Sequence, residues 1–131
     1  MSDEQEDRPD PRLQWPLPPA WMFDCEDCVR LYGRMKRITD MMWEMHFTGE
    51  KGVDYDPMDS QVGSMIAMIR HMAVAHEELL PGWEPDCASC AERRQSIARA
   101  VARNASPDAV VVLQEHRAAH AVLPPYSAKN L

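Results

Sequence analysis

Hydrophobic positions recur with helical spacing along most of the chain. Cys28, Leu31, Met35, Ile38, Met42 and Met45 fall three or four residues apart and make one continuous apolar stripe. Asp24 stands where a helix cap belongs, with Asp27 three residues on. Gly49, Gly52 and Pro57 interrupt the pattern. A second stripe runs through Val62, Met65 or Ile66, Ile69, Met72 or Ala73, His76 and Leu79, and Pro81-Gly82 ends it. A third, shorter stripe holds Cys90, Ile97 and Val101, with Ala98 and Ala105 nearby. Ser106-Pro107-Asp108 supplies a cap and a first-turn proline. It opens a fourth stripe through Ala109, Val112 or Leu113, His116, His120 and Leu123. Val110-Val111-Val112 alone reads as a strand, but the cap before it favours a helix, and no other segment offers a strand partner.

The expected fold class is therefore all-α, with four main helices of about 22, 21, 17 and 15 residues. Each consecutive pair is joined by a turn, which predicts two tandem antiparallel helical hairpins. The expected organisation is an acidic, proline-rich and disordered tail over 1–19, hairpin one over 20–82, hairpin two over 83–125 and a C-terminal tail over 126–131. The first segment holds Pro9, Pro11, Pro16, Pro18 and Pro19, which exclude a helix and leave little to bury.

A second periodicity overlies the first. Trp21-x2-Asp24-Cys25-x2-Cys28 is followed much later by His71-x4-His76. Trp83-x2-Asp86-Cys87-x2-Cys90 is followed by His116-x3-His120. All four cysteines and four of the five histidines fall in these pairs, leaving only His46 outside. The punctuation repeats too. Leu17-Pro18-Pro19-Ala20-Trp21 precedes the first cysteine pair and Leu80-Pro81-Gly82-Trp83 the second, while Leu123-Pro124-Pro125-Tyr126 resembles the start of a third unit.

In an antiparallel hairpin the start of the first helix lies beside the end of the second. CxxC and the histidine pair should therefore converge at the open end of each hairpin. Two thiolates and two imidazoles are a common tetrahedral zinc set, and a helix start favours the thiolate that binds metal. The expected ligands are Cys25, Cys28, His71 and His76 at one site, and Cys87, Cys90, His116 and His120 at the other, with two Zn(2+) per chain. His116 and His120 lie about 40° apart around a helix and suit one ion. His71 and His76 lie about 140° apart, so the last turn must tighten or unwind. His46 is a substitute ligand in principle, though it belongs near the far end of the hairpin. A thioredoxin-like redox reading of CxxC needs a preceding strand, which the pattern does not offer. Trp21 and Trp83 are expected to pack against the metal sites.

The ligand set resembles that of the two-cysteine, two-histidine zinc fingers. In that family roughly a dozen residues separate the two pairs. Here the gap is longer and helical, so neither the ββα fold nor its base-reading positions carry over. The helical zinc domain of retroviral integrases is also similar in ligand type, with the histidine pair first.

Composition narrows function rather than fixing it. The chain has 131 residues and a formal net charge of −7. Residues 1–10 carry −4 and residues 87–131 carry +3, which leaves one basic region on the second repeat. No apolar run is long enough to span a bilayer, and the expected compartment is the cytoplasm. Sites filled by four protein ligands leave no position for substrate, so the chain reads as a non-enzyme without a small-molecule substrate. The leading expectation is a zinc-binding adaptor, regulatory in role, that binds a protein partner or itself. Met41, Met42, Met45, Met65, Met68 and Met72 would serve partly as core and partly as an adaptable contact surface. The alternatives are a DNA-binding regulator using Arg93, Arg94, Arg99, Arg103 and Arg117, and a thiol–zinc redox sensor.

Overall fold

The computed structural model describes residues 14–48 and 57–131, with side chains placed for 14–42 and 61–131. Most of the tail, the Gly49–Gly52 break and the side chains of Met45 and His46 lie outside the described residues. The described residues are helical, without a strand. A 3-10 turn at Ala20–Asp24 leads into α1 (Glu26–Thr48), followed by α2 (Pro57–Ala75) and a second 3-10 turn at Glu77–Leu79. Then come α3 (Ala88–Ala102), α4 (Pro107–Val122) and a short α5 (Pro125–Asn130). The helices α1 and α2 pack together, as do α3 and α4, and α2 packs on α4. The two histidine-bearing helices therefore form the centre, flanked by the two cysteine-bearing ones.

The core follows from this arrangement. Met65, Met68, Ile69, Met72 and Ala73 are all buried on α2. They cover an arc of roughly 140°, wide enough to meet α1 on one side and α4 on the other. Met22, Cys28 and Met35 join them from the first hairpin, and Ala118, Ala119, Val122, Leu123 and Ala128 from the second. One hydrophobic cluster thus spans both repeats. Small alanines on α4 let it approach α2 closely, and unbranched methionines fill the irregular space between. Thr39 is buried, and its hydroxyl donates to the Met35 carbonyl one turn back at 3.0 Å, which leaves no unpaired polar group there.

Several positions differ from the periodicity. Leu79 is exposed and Leu80 is buried in its place, because the chain leaves the helix after Ala75. At the end of α3 Ala100 is buried, while Val101 is 61% exposed. On α4, Ala109 and Val112 face solvent, whereas Gln114, Glu115 and His116 are buried. A helix with neighbours on several sides has no single apolar stripe, so a one-face reading misplaces its ends. Asp24 does not precede α1 directly; it closes the 3-10 turn, and Cys25 occupies the junction.

Residues 14–19 and 126–131 are placed more firmly than the composition suggests. Trp15 packs against the core, with Lys36 Nζ over its ring at 4.1 Å. Residues 126–131, expected as a tail, lie mostly in α5, whose Ala128 is fully buried. Ser89 Oγ donates to the Lys129 carbonyl at 3.1 Å, which ties α5 to the start of α3. Pro124 precedes α5 as Pro19 precedes the first 3-10 turn, so the third leucine-proline motif does begin a helical element.

The turn between α3 and α4 is closed by Asn104, whose φ is 56°. Its amide donates to the Val101 carbonyl at 3.1 Å and the Ala105 amide to the Ala100 carbonyl at 2.9 Å. This paired arrangement is the Schellman ending, and asparagine tolerates the left-handed conformation it needs. Ser106 then caps α4, accepting from the Ala109 amide, with Pro107 in the first turn.

Candidate metal centres

Both cysteine pairs are placed by the same backbone device. The Cys25 amide donates to the Met22 carbonyl at 3.2 Å, and the Cys87 amide to the Glu84 carbonyl at 3.2 Å. Each contact closes a tight turn that starts one residue after the repeated tryptophan. The Cys25 carbonyl then accepts from Val29 at 3.1 Å and the Cys87 carbonyl from Ala91 at 3.2 Å, which starts each helix. In the second repeat the thiol itself is the cap, with Cys87 Sγ accepting from the Cys90 amide at 3.4 Å. Asp24 looked like the cap in sequence; Cys25 stands at that junction instead, and in the second repeat the Cys87 sulfur is the cap. Both sulfurs of a pair consequently sit at the positive end of a helix.

The histidines arrive from α2 and α4. Cys25, Cys28, His71 and His76 form one group and Cys87, Cys90, His116 and His120 the other, with all ligand atoms within 4.8 Å of one another in each. In the first group Cys25 Sγ lies 3.5 Å from His71 Nε2. In the second, Cys87 Sγ is 3.4 Å from His116 Nε2 and Cys90 Sγ 3.2 Å from His120 Nε2. The two imidazole Nε2 atoms of the second group are 3.1 Å apart. A zinc tetrahedron with ordinary bond lengths has sulfur–nitrogen edges of about 3.5 Å and nitrogen–nitrogen edges of about 3.3 Å. The observed separations fit that polyhedron.

The five-residue spacing of the first histidine pair is accommodated by unwinding. The helix α2 ends at Ala75, and His76 has φ −135° and ψ 33°, outside the helical region. Its ring turns back toward His71, with centroids 5.3 Å apart and nearly edge to face. His116 and His120 stay on a regular helix and stand 4.7 Å apart, also edge to face. His76 Nε2 is buried and has no protein hydrogen-bond partner. A buried imidazole nitrogen without a partner is costly, and a metal ion at the centre of the group would supply one. Trp21 packs on His76 with ring centroids 5.0 Å apart, as expected of a wall of the first site. Trp83 instead lies beneath the Arg117 guanidinium at 5.6 Å.

The electrostatics of the two groups oppose each other in an informative way. Burial lowers the pKa of His71, and the neighbouring His76 lowers it further. Burial likewise lowers His116 and His120, with His120 adding to the effect on His116. The imidazoles are thus held neutral, which is the metal-binding form. Burial pushes the Cys28 thiol up to about 12, and the adjacent Cys25 adds to the shift. Cys90 is raised too, again chiefly by burial. A buried thiolate pair needs a positive charge beside it, and a divalent cation supplies it.

The remaining predicted site residues do not converge. Arg93, Arg99 and Arg103 project within roughly 120° of one another around α3, with Glu92 between them, while Arg94 points to the opposite side. Arg117 is engaged inside the molecule. Its Nε donates to the Pro81 carbonyl at 2.8 Å, and its terminal nitrogens reach Gln114 Oε1 at 2.9 Å and the Leu80 carbonyl at 3.2 Å. The periodicity also passed over one ion pair: Arg70 Nε donates to the buried Glu115 Oε1 at 2.6 Å. Its signal was an arginine directly before His71 and a glutamate directly before His116.

Fold and site together define the class: a helical protein with two Cys2His2-type clusters, one per repeat. No family model matches the chain, and no curated protein or solved structure matches it either. No described helix is long and apolar enough to cross a membrane.

Proposed function

We propose that the protein holds two zinc ions as structural staples and acts by binding a protein partner, not by catalysis. The observation that carries this reading is the completeness of each ligand set: two sulfurs and two nitrogens within 4.8 Å in both groups. Zinc suits a mixed thiolate–imidazole tetrahedron better than the hard cations do, and four protein donors leave no open position for water or substrate. The ion would contribute charge compensation and closure; the cysteines and neutral histidines supply the geometry. Exposed apolar side chains on the first repeat support a protein partner: Phe23, Val29, Met41, Val74 and Leu79 all face solvent. Met65, Met68 and Met72 serve the core instead. Glu92 lies among the arginines that share a face of α3, Arg94 points away from them and Arg117 is engaged inside the molecule, so duplex DNA is the weaker reading.

The test is elemental analysis of the purified protein, followed by cobalt substitution. The expected result is two zinc ions per chain, one per chain in Cys90→Ser, and a tetrahedral cobalt spectrum that added azide or imidazole leaves unchanged. A spectrum that responds to those ligands would reveal an open position and reopen the enzymatic reading. Gel retardation of arbitrary duplex DNA at low salt would restore the nucleic-acid alternative.

A further inference from the structure

We infer that the two metal sites are coupled, so that the second ion binds more tightly than the first, and that the Arg70–Glu115 pair carries this coupling. The inference rests on the zinc reading above and goes beyond it, since two staples need not communicate.

Arg70 precedes the site-one ligand His71, and Glu115 precedes the site-two ligand His116. Their side chains meet at 2.6 Å across the α2–α4 contact. Glu115 is buried there, so its carboxylate depends on this one charged partner. A second link runs the same way. Arg117, directly after His116, grips the Leu80 and Pro81 carbonyls, which follow His76 along the linker toward Cys87. The residues on either side of His116 are thus fastened to segments beside His71 and beyond His76. Behind these polar links, α2 and α4 share one apolar cluster that includes Met68, Met72, Ala118 and Val122.

An ion at site one fixes the end of α2 and the unwound turn at His76. That orders the partners of Glu115 and Arg117, and through them the α4 segment that presents His116 and His120. Part of the ordering entropy of the second site is then already met when the first is filled. Shared ordering of this kind gives positive cooperativity, and by linkage it is reciprocal between the sites. Couplings of this type typically amount to about tenfold in affinity.

The test is zinc titration of the metal-free full chain, followed by native mass spectrometry that counts chains with no, one and two ions. Independent equal sites put about half of the chains in the one-ion state at half loading, and tenfold coupling reduces this to about a quarter. The expected result is that depletion in the natural sequence and its loss in Glu115→Gln and in Arg70→Gln, which alter no ligand. Arg70 is more than half exposed, so Arg70→Gln keeps the test available if Glu115→Gln folds poorly. A purely structural role would shift the loading midpoint and leave the one-ion fraction unchanged in the variants. A one-ion fraction of half or more in the natural sequence that is unchanged in both variants overturns the coupling while leaving the two-zinc reading standing. Depletion that persists in both variants overturns the assignment to this pair. Failure to bind any zinc overturns both readings.

Discussion

At the scale of single residues, the clusters are defined by groups whose surroundings push them away from charge. Burial holds His71, His116 and His120 below the ordinary histidine range, so they are ready ligands at neutral pH. The same burial pushes Cys28 up to about 12 from an ordinary 9.0, so its proton must leave when metal enters. The sign follows directly. A group protonated in the free site and ionised in the bound one makes affinity rise with pH until its free pKa is passed. Zinc affinity should therefore keep rising beyond pH 9, where an ordinary thiol would level off. Competition with a chelator of known pH dependence checks this, and a plateau near pH 9 would mean the free thiols are not buried. In the same titrations near neutral pH, at least one proton should be released per ion, from the buried thiol of each pair. The ligand residues were legible because cysteine and histidine are scarce and fell into repeated pairs. Arg70 and Glu115 were not, and Arg117 was read as a nucleic-acid contact, because charged residues are common on helices and only the fold reveals which of them face each other.

At the scale of elements, the helices were readable and their faces less so. Stripes and the Ser106 cap mark the helical segments, α2 ends at Ala75 before the Pro81-Gly82 stop is reached, and the expected unwinding of the His71–His76 turn is present at His76. The apolar face of α4, which has several neighbours, was misjudged at Val112, and the end of α3 at Val101. The connection between α3 and α4 rests on a residue that the pattern did not single out. Asn104 sits at φ 56°, where a side chain branched at Cβ is strained and glycine is not. Asn104→Val should cost about 1–2 kcal/mol in unfolding of the zinc-loaded protein, and Asn104→Gly should be neutral or slightly stabilising. Chemical denaturation compares the three. Equal loss from both substitutions would point to the asparagine side chain rather than the backbone conformation.

At the scale of the whole molecule, the sequence repeat predicts two tandem hairpins over 20–82 and 83–125, and α2 of the first packs on α4 of the second. A repeat in sequence reports shared ancestry of parts; it carries no information on which faces those parts bury against each other. Here the central faces of α2 and α4 supply one cluster, from Met65, Met68, Ile69 and Met72 on one side to Ala118, Ala119 and Val122 on the other. Cutting the chain in the linker would expose both faces and leave Glu115 without Arg70. A peptide covering 83–131 retains all four ligands of the second site, so it should still bind one zinc ion. It should nevertheless lack a fixed core on the face that α2 covers, with alanines and one valine too small to make one alone. The expected outcome is a zinc-bound peptide whose α4 amides exchange with solvent far faster than in the full chain. Adding the separate piece 14–82 with its own zinc should restore protection, because the missing face is returned. Equal protection in the isolated peptide and the full chain would show that zinc alone suffices to order a hairpin. The shared methionine–alanine cluster would then be a docking contact between finished units rather than part of what folds them.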